Sequence, residues 1–134
     1  MSAETDILRK YHTIGVVGLS SDETREAYGV SKYMQDAGYR IIPVHPAETE
    51  VLGEQAYPDL ASIPEPVEIV DVFRRAEFVP DIVDEAIAAG AKVIWLQSGI
   101  VHEEAAAKAR EAGLEVVMDR CIRTVHRRLQ AGLE

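Results

Sequence analysis

Apolar residues in this chain gather into short runs separated by longer stretches of mixed character. Five runs have strand length and are rich in Val and Ile: TIGVVGL at 13–19, YRIIPVH at 39–45, VEIVDVF at 67–73, KVIWLQ at 92–97 and LEVVMD at 114–119. They suit strands that are buried on both faces. The stretches between them have helical period and predict helices over about 24–37, 79–89, 103–112 and 120–131. Gly38 in DAGYR, Gly90 in AAGAKVIW and Gly113 in EAGLE each close a helical stretch just before a strand, where a left-handed residue ends a helix. This helix-then-strand punctuation predicts an α/β fold, a parallel sheet joined by helical crossovers. One stretch breaks the rhythm. PAETEVLGEQAYPDLASIPEP at 46–66 holds four prolines and only a short helical possibility near 58–62. It reads as a connection passing over the mouth of the sheet, either functional or simply solvated.

Composition narrows the picture. The 134 residues suffice for one domain with one hydrophobic core, its span taken as 1–134 with a core of about 6–130. A formal net charge of −9 disfavours nucleic acid and anionic membranes, because the mean field repels polyanions. An anionic small molecule then needs locally focused positive charge. The lone Cys121 excludes an internal disulfide and fits a reducing compartment. The start has no signal-peptide layout and no run reaches the roughly 18 apolar residues of a membrane span, so a cytoplasmic protein is expected.

Ligands of open α/β sheets bind beyond the carboxyl ends of the strands. The first crossover, GLSSDETR, leads from strand to helix there. Helix starts offer unpaired N–H groups and a partial positive charge that favour phosphate. Gly18 allows close backbone approach to a ligand, Ser20 and Ser21 add hydroxyls, and Arg25 adds a planar charged fork. Ser20 and Glu23 also have the spacing of a capping box and Asp22 is a fair N-cap, uses compatible with binding. Arg25, Gly29 and Lys32 follow i, i+4, i+7 on one helical stripe, a seat for a second anionic group, although Lys32 also stands four residues before Asp36. The nicotinamide fingerprint fails, because the glycines are Gly15, Gly18 and Gly29 and the second strand ends in IIPVHP, with Glu48 arriving only after Pro46. A Walker-type loop is absent as well.

Taken in order, VGLSSDETR, GYRIIPVHP, VEIVDVFRR, AKVIWLQSGI and AGLEVVMDRC resemble the small single-domain CoA-binding proteins. That family is similar to the CoA-binding domain of the succinyl-CoA synthetase α-subunit and of ADP-forming acyl-CoA synthetases. The resemblance implies a Rossmann-like, doubly wound sheet of about five parallel strands with helices on both faces, three layers in all, and a site for coenzyme A or acyl-CoA. It implies that Gly18, Leu19, Ser20, Ser21 and Arg25 form the phosphate turn and that Pro43, Val44, His45 and Pro46 border the adenosine end. Phe73 and Arg74 would line the ligand, and Gln97, Ser98 and Gly99 would meet the pantetheine arm. His45 stands where the family usually has Asn, and Ala27 where it usually has Ser.

The related synthetases use a phosphohistidine and a nucleotide-grasping domain outside the CoA module, so the resemblance implies non-catalytic binding. None of His12, His45, His102 and His126 sits in a phosphohistidine-like segment, and His102 reads as a helix-start residue. No His, Cys and acidic set has metal-ligand spacing, so no metal is expected. Cys121, flanked by Arg120 and Arg123, is either a reactive thiol or a buried small hydrophobe, and Trp95 reads as core. The terminal DRCIRTVHRRLQAG concentrates Arg120, Arg123, Arg127 and Arg128, which could face the acidic body, a second copy or the ligand. The remaining functional alternatives are a CoA-ligase or CoA-transferase subunit needing separate catalytic chains, and a dinucleotide-responsive regulator. A protein partner or homodimer fits the first two readings.

Overall fold

All five apolar runs contribute strands to one parallel sheet in a computed structural model that describes residues 3–132. The elements run α1 (Ala3–Lys10), β1 (Thr13–Val17), α2 (Glu26–Asp36), β2 (Arg40–Val44), β3 (Glu50–Val51), β4 (Glu54–Gln55), β5 (Ile69–Val72), a 3-10 helical turn (Ala76–Phe78), α3 (Val79–Ala88), β6 (Val93–Leu96), α4 (Glu103–Glu111), β7 (Glu115–Val117) and α5 (Ile122–Gln130). The main sheet has the order β2-β1-β5-β6-β7.

Successive residues of a strand point to opposite faces, so a strand covered on both sides needs apolar residues throughout. Ile14, Val16, Ile69, Val93 and Trp95 pack on one face with Leu8 of α1, Met34 of α2 and Ile122 of α5. Val17, Val70, Val72, Ile94 and Leu96 pack on the other with Val79 and Val83 of α3 and Ala105 of α4. The result is a three-layer, doubly wound, Rossmann-like fold. Chain order reverses at β1, whose neighbours β2 and β5 are its successors on opposite sides. That reversal opens a crevice beyond Val17 and Val72.

Helix ends follow the glycine punctuation, with Gly38, Gly90 and Gly113 at φ of 102°, 75° and 94°. Other boundaries differ from expectation. The helix after β1 starts at Glu26, with Arg25 as an N-cap in extended conformation and no side-chain capping bond. The capping box therefore does not form. Ser20 Oγ instead accepts from Asp22 N–H at 3.2 Å, and Asp22 Oδ1 accepts from Thr24 N–H at 2.9 Å and from Thr24 Oγ1 at 2.6 Å. These local bonds hold the chain in turns and delay the helix. The 46–66 connection has no helix at 58–62. It contains the β3–β4 hairpin, whose Leu52 and Gly53 both have positive φ, 56° and 75°. Two left-handed residues in succession make the tight hairpin turn that matches strand twist. The α1 helix was not expected from the apolar pattern; it buries only Thr5, Ile7 and Leu8.

Candidate functional site

A cleft of about 1230 Å³ lies at the carboxyl ends of β1, β2, β5 and β6. This exceeds the roughly 300–1,000 Å³ usual for small-molecule pockets. The β1–α2 turn supplies Gly18, Ser20, Ser21, Asp22 and Arg25. The end of β2 supplies Val44, His45, Pro46 and Glu48. Phe73, Arg74, Arg75 and Phe78 enter after β5, and Gln97, Ser98, Gly99 and Ile100 after β6. Residues far apart in the chain meet because parallel strands all end on the same side of the sheet.

Three candidates fall outside the cleft. Leu19 is fully buried in the core, because the turn residue after Gly18 points back between sheet and helices. Pro43 is a buried β2 residue whose carbonyl accepts from Tyr57 N–H at 3.0 Å. Lys32 pairs with Asp36 at 3.1 Å on the exposed side of α2. The expected Arg25–Lys32 stripe is not a continuous helical one, since Arg25 precedes the helix.

Gly18 lines the cleft and also meets a packing constraint. At φ 96° it needs the conformational freedom of glycine, and an added Cβ would lie 2.8 Å from the Phe73 carbonyl oxygen. The missing side chain thus lets β1 and β5 exit side by side, beneath the cleft. The Gly18 N–H is already spent on the Val44 carbonyl at 2.9 Å.

Charges in the cleft are mixed. Arg25 Nε lies 3.8 Å from Asp22 Oδ2, and both side chains are exposed. The Arg74 guanidinium sits 4.0 Å over the centre of the Phe78 ring. Glu48 folds back on the first turn, where its Oε2 accepts from Ser21 N–H at 2.8 Å and from Ser21 Oγ at 3.0 Å. These bonds hold the Glu48 carboxyl below its ordinary range. His45 Nδ1 accepts from Ala47 N–H at 3.1 Å, so in neutral His45 the proton resides on Nε2. That is a different presentation from the two-ended amide of Asn.

Beneath the floor lies Asp71 of β5, 2% exposed. Gln97 Nε2 donates to its Oδ1 at 2.5 Å, while Gln97 Oε1 accepts from Ile122 N–H at 3.4 Å. Burial pushes the Asp71 carboxyl up to about 7, against the opposing pull of the Gln97 bond. Gln97 is thereby held between β5 and the start of α5. The Gly99 N–H donates to Asp119 Oδ1 at 2.6 Å, orienting the loop after β6. Asp71, Asp119 and Glu48 were not among the expected site residues. The sequence signal for Asp71 is an acid inside the otherwise apolar strand IVDV.

The other candidates resolve as follows. His102 caps α4, its Nδ1 accepting from Ala105 N–H at 3.1 Å. Trp95 is fully buried, and its Nε1 donates to the Arg120 carbonyl at 2.9 Å. Cys121 is half-buried at the N-cap of α5 and does not line the cleft. Arg120 reaches Glu4 at 3.8 Å, and Arg127 lies over the Tyr33 ring, so these two arginines face the protein's own body. Among the described residues, no group of three His, Cys, Asp or Glu side chains is placed to share a metal ion. No helix among them is long and apolar enough to cross a membrane.

The sequence profile of the CoA binding domain family matches residues 12–127. The chain is 46% identical over 121 residues to the uncharacterized protein YneT of Bacillus subtilis, covering 90% of each chain. It superposes on a hypothetical protein from Pyrococcus horikoshii with a TM-score of 0.91 and 40% identity, across 96% of this chain and 93% of that one. An ADP-forming acetate–CoA ligase of Archaeoglobus fulgidus is 25% identical over 119 residues, which span 81% of this chain and only 17% of the ligase.

Proposed function

This chain belongs to the CoA binding domain family, and from that premise we propose that it binds coenzyme A or an acyl-CoA across the carboxyl ends of its strands, without catalysing a reaction alone and in concert with a partner protein. The observation that carries the reading is the convergence of four strand ends on one extended cleft, with the serine-rich β1–α2 turn at one side. Ser20, Ser21 and Arg25 offer hydroxyl, amide and guanidinium donors suited to a diphosphate. Val44, His45 and Pro46 form a lip suited to the adenosine end, and Phe73 with Arg74 lines the middle. Gln97, Ser98 and Gly99 stand where a pantetheine arm would run, on a floor steadied by Asp71 and Asp119. In this role the cytoplasm supplies the ligand and no metal is required.

Isothermal titration with CoA, dephospho-CoA and NADH tests the ligand. CoA should bind. Replacing Arg25 by Ala should weaken it about tenfold to a hundredfold, the value of one charge-assisted hydrogen bond. Binding of NADH but not CoA would refute the reading in favour of a dinucleotide-responsive regulator. Formation of acyl-CoA from ATP, CoA and a short acid by the isolated chain would refute the non-catalytic part. The same synthesis appearing only with added chains would identify a ligase or transferase subunit.

A further inference from the structure

We propose that Glu48 is a built-in competitor for phosphate at the first crossover, because its carboxylate sits on the anion seat at Ser21 and must leave before a phosphoryl group can enter. This rests on the reading of the cleft as a CoA site and adds to it a competing residue.

Two Ser21 donors converge on a single oxygen, Glu48 Oε2, at 2.8 Å from N and 3.0 Å from Oγ. A backbone N–H and a hydroxyl aimed at one anionic oxygen are the groups with which such turns hold phosphate. The contact contains hydrogen bonds and, among the described residues, no ion pair; Arg25 is turned to Asp22 instead. The seat is therefore filled by one negative charge held by hydrogen bonds, with His45 nearby.

Glu48 is delivered there by the architecture. On one side, His45 N–H donates to the Tyr57 carbonyl at 2.9 Å; on the other, Ala56 N–H donates to the Thr49 carbonyl at 2.9 Å. The hairpin beyond is anchored by buried Val51 and by Gln35 Nε2, which donates to the Leu52 carbonyl at 3.0 Å. Arg40 clamps the same connection through Glu54 and Glu65. The backbone can thus stay in place while the Glu48 side chain swings away.

Displacing the carboxylate sacrifices two charge-assisted bonds. A neutral hydroxyl or amide returns weaker ones, whereas a phosphoryl group carrying about two charges returns bonds at least as strong. An ionised Glu48 beside the seat also repels the incoming phosphate until it turns to solvent. Both effects oppose phosphate entry.

The test compares wild type with Glu48→Gln, which removes the charge and keeps the shape, and Glu48→Ala, which empties the seat. Titration uses CoA, inorganic pyrophosphate and pantetheine, which has no phosphate at the seat. Both variants should bind CoA and pyrophosphate about tenfold more tightly, the scale of a lost exposed charged contact, with pantetheine unchanged within about twofold. Equal CoA affinity in all three proteins would overturn the inference and leave the CoA reading intact. An equal gain for pantetheine would overturn it too, since that points to loop opening. A gain in Glu48→Ala alone would show shape, not charge, in control and would also overturn it. Pyrophosphate gaining while CoA binds none of the proteins would uphold the seat and refute the CoA reading. If neither ligand binds any of them, both proposals fail.

Discussion

Replacing Asp71 by Asn should stabilise the protein at neutral pH, by an amount that grows as pH rises from about 4 to about 7. Asp71 is 2% exposed, in register with Val16 of β1 and Trp95 of β6. Burial lifts its carboxyl from the ordinary 3.8 to about 7. Between those values the folded protein keeps a proton that the unfolded chain has released. Stability must then fall with rising pH across that window and level off above it. The contribution is fully present below the unfolded value and lost as pH passes the folded one. A separation of about three pH units at about 1.4 kcal/mol each gives a loss of about 4 kcal/mol at pH 8. Asn carries no charge at any pH and retains an oxygen for the Gln97 amide. Acids such as Glu65 and Asp22, whose carboxyls are lowered by their hydrogen bonds, titrate in both proteins and cancel in the difference. Urea unfolding at several pH values, read by the fluorescence of the single Trp95, supplies that difference. The variant should gain about 4 kcal/mol on wild type between pH 4 and pH 8. A constant difference across this range would refute the reasoning, because ionising Asp71 would then cost the fold nothing.

Two other perturbations test the frame around the cleft. Gly18→Ala should cost about 1–3 kcal/mol through its positive φ and the clash with the Phe73 carbonyl, and an unchanged melting temperature would exclude that constraint. His126, 4% exposed and 2.9 Å from the Tyr33 hydroxyl, is pushed below its ordinary 6.5 by burial. Its stability contribution is present above that value and lost as pH falls, so thermal melts should show His126→Gln gaining on wild type from pH 7.5 to pH 5, the opposing Asp71 contribution cancelling in the difference. The same pH response in both proteins would refute a His126 contribution.

Much of this molecule was legible in the order of its residues. Consecutive Val and Ile in VEIVDVF and KVIWLQ demand cover on both faces, which only a buried parallel sheet supplies. Glycines after helical stretches mark the exits, because few other residues take a left-handed conformation cheaply. Those are local rules, and they place the strand ends around which the cleft forms; the family resemblance, not periodicity, named the expected strand-end residues beyond the first turn. Side-chain direction and long-range return are not local. Lys32 shares a nominal stripe with Arg25, yet the turn bonds of Ser20 and Asp22 postpone the helix and Lys32 meets Asp36. Leu19 sits within the GLSSDETR turn and points into the core. Glu48 is separated from Ser21 by a helix, a strand and a proline, and only the crossover to β2 with the β3–β4 hairpin brings them together. Local sequence sets which elements form because neighbouring residues decide backbone preference. What those elements present to a ligand depends on register and packing between distant segments, and that was decided only when the sheet closed its two faces.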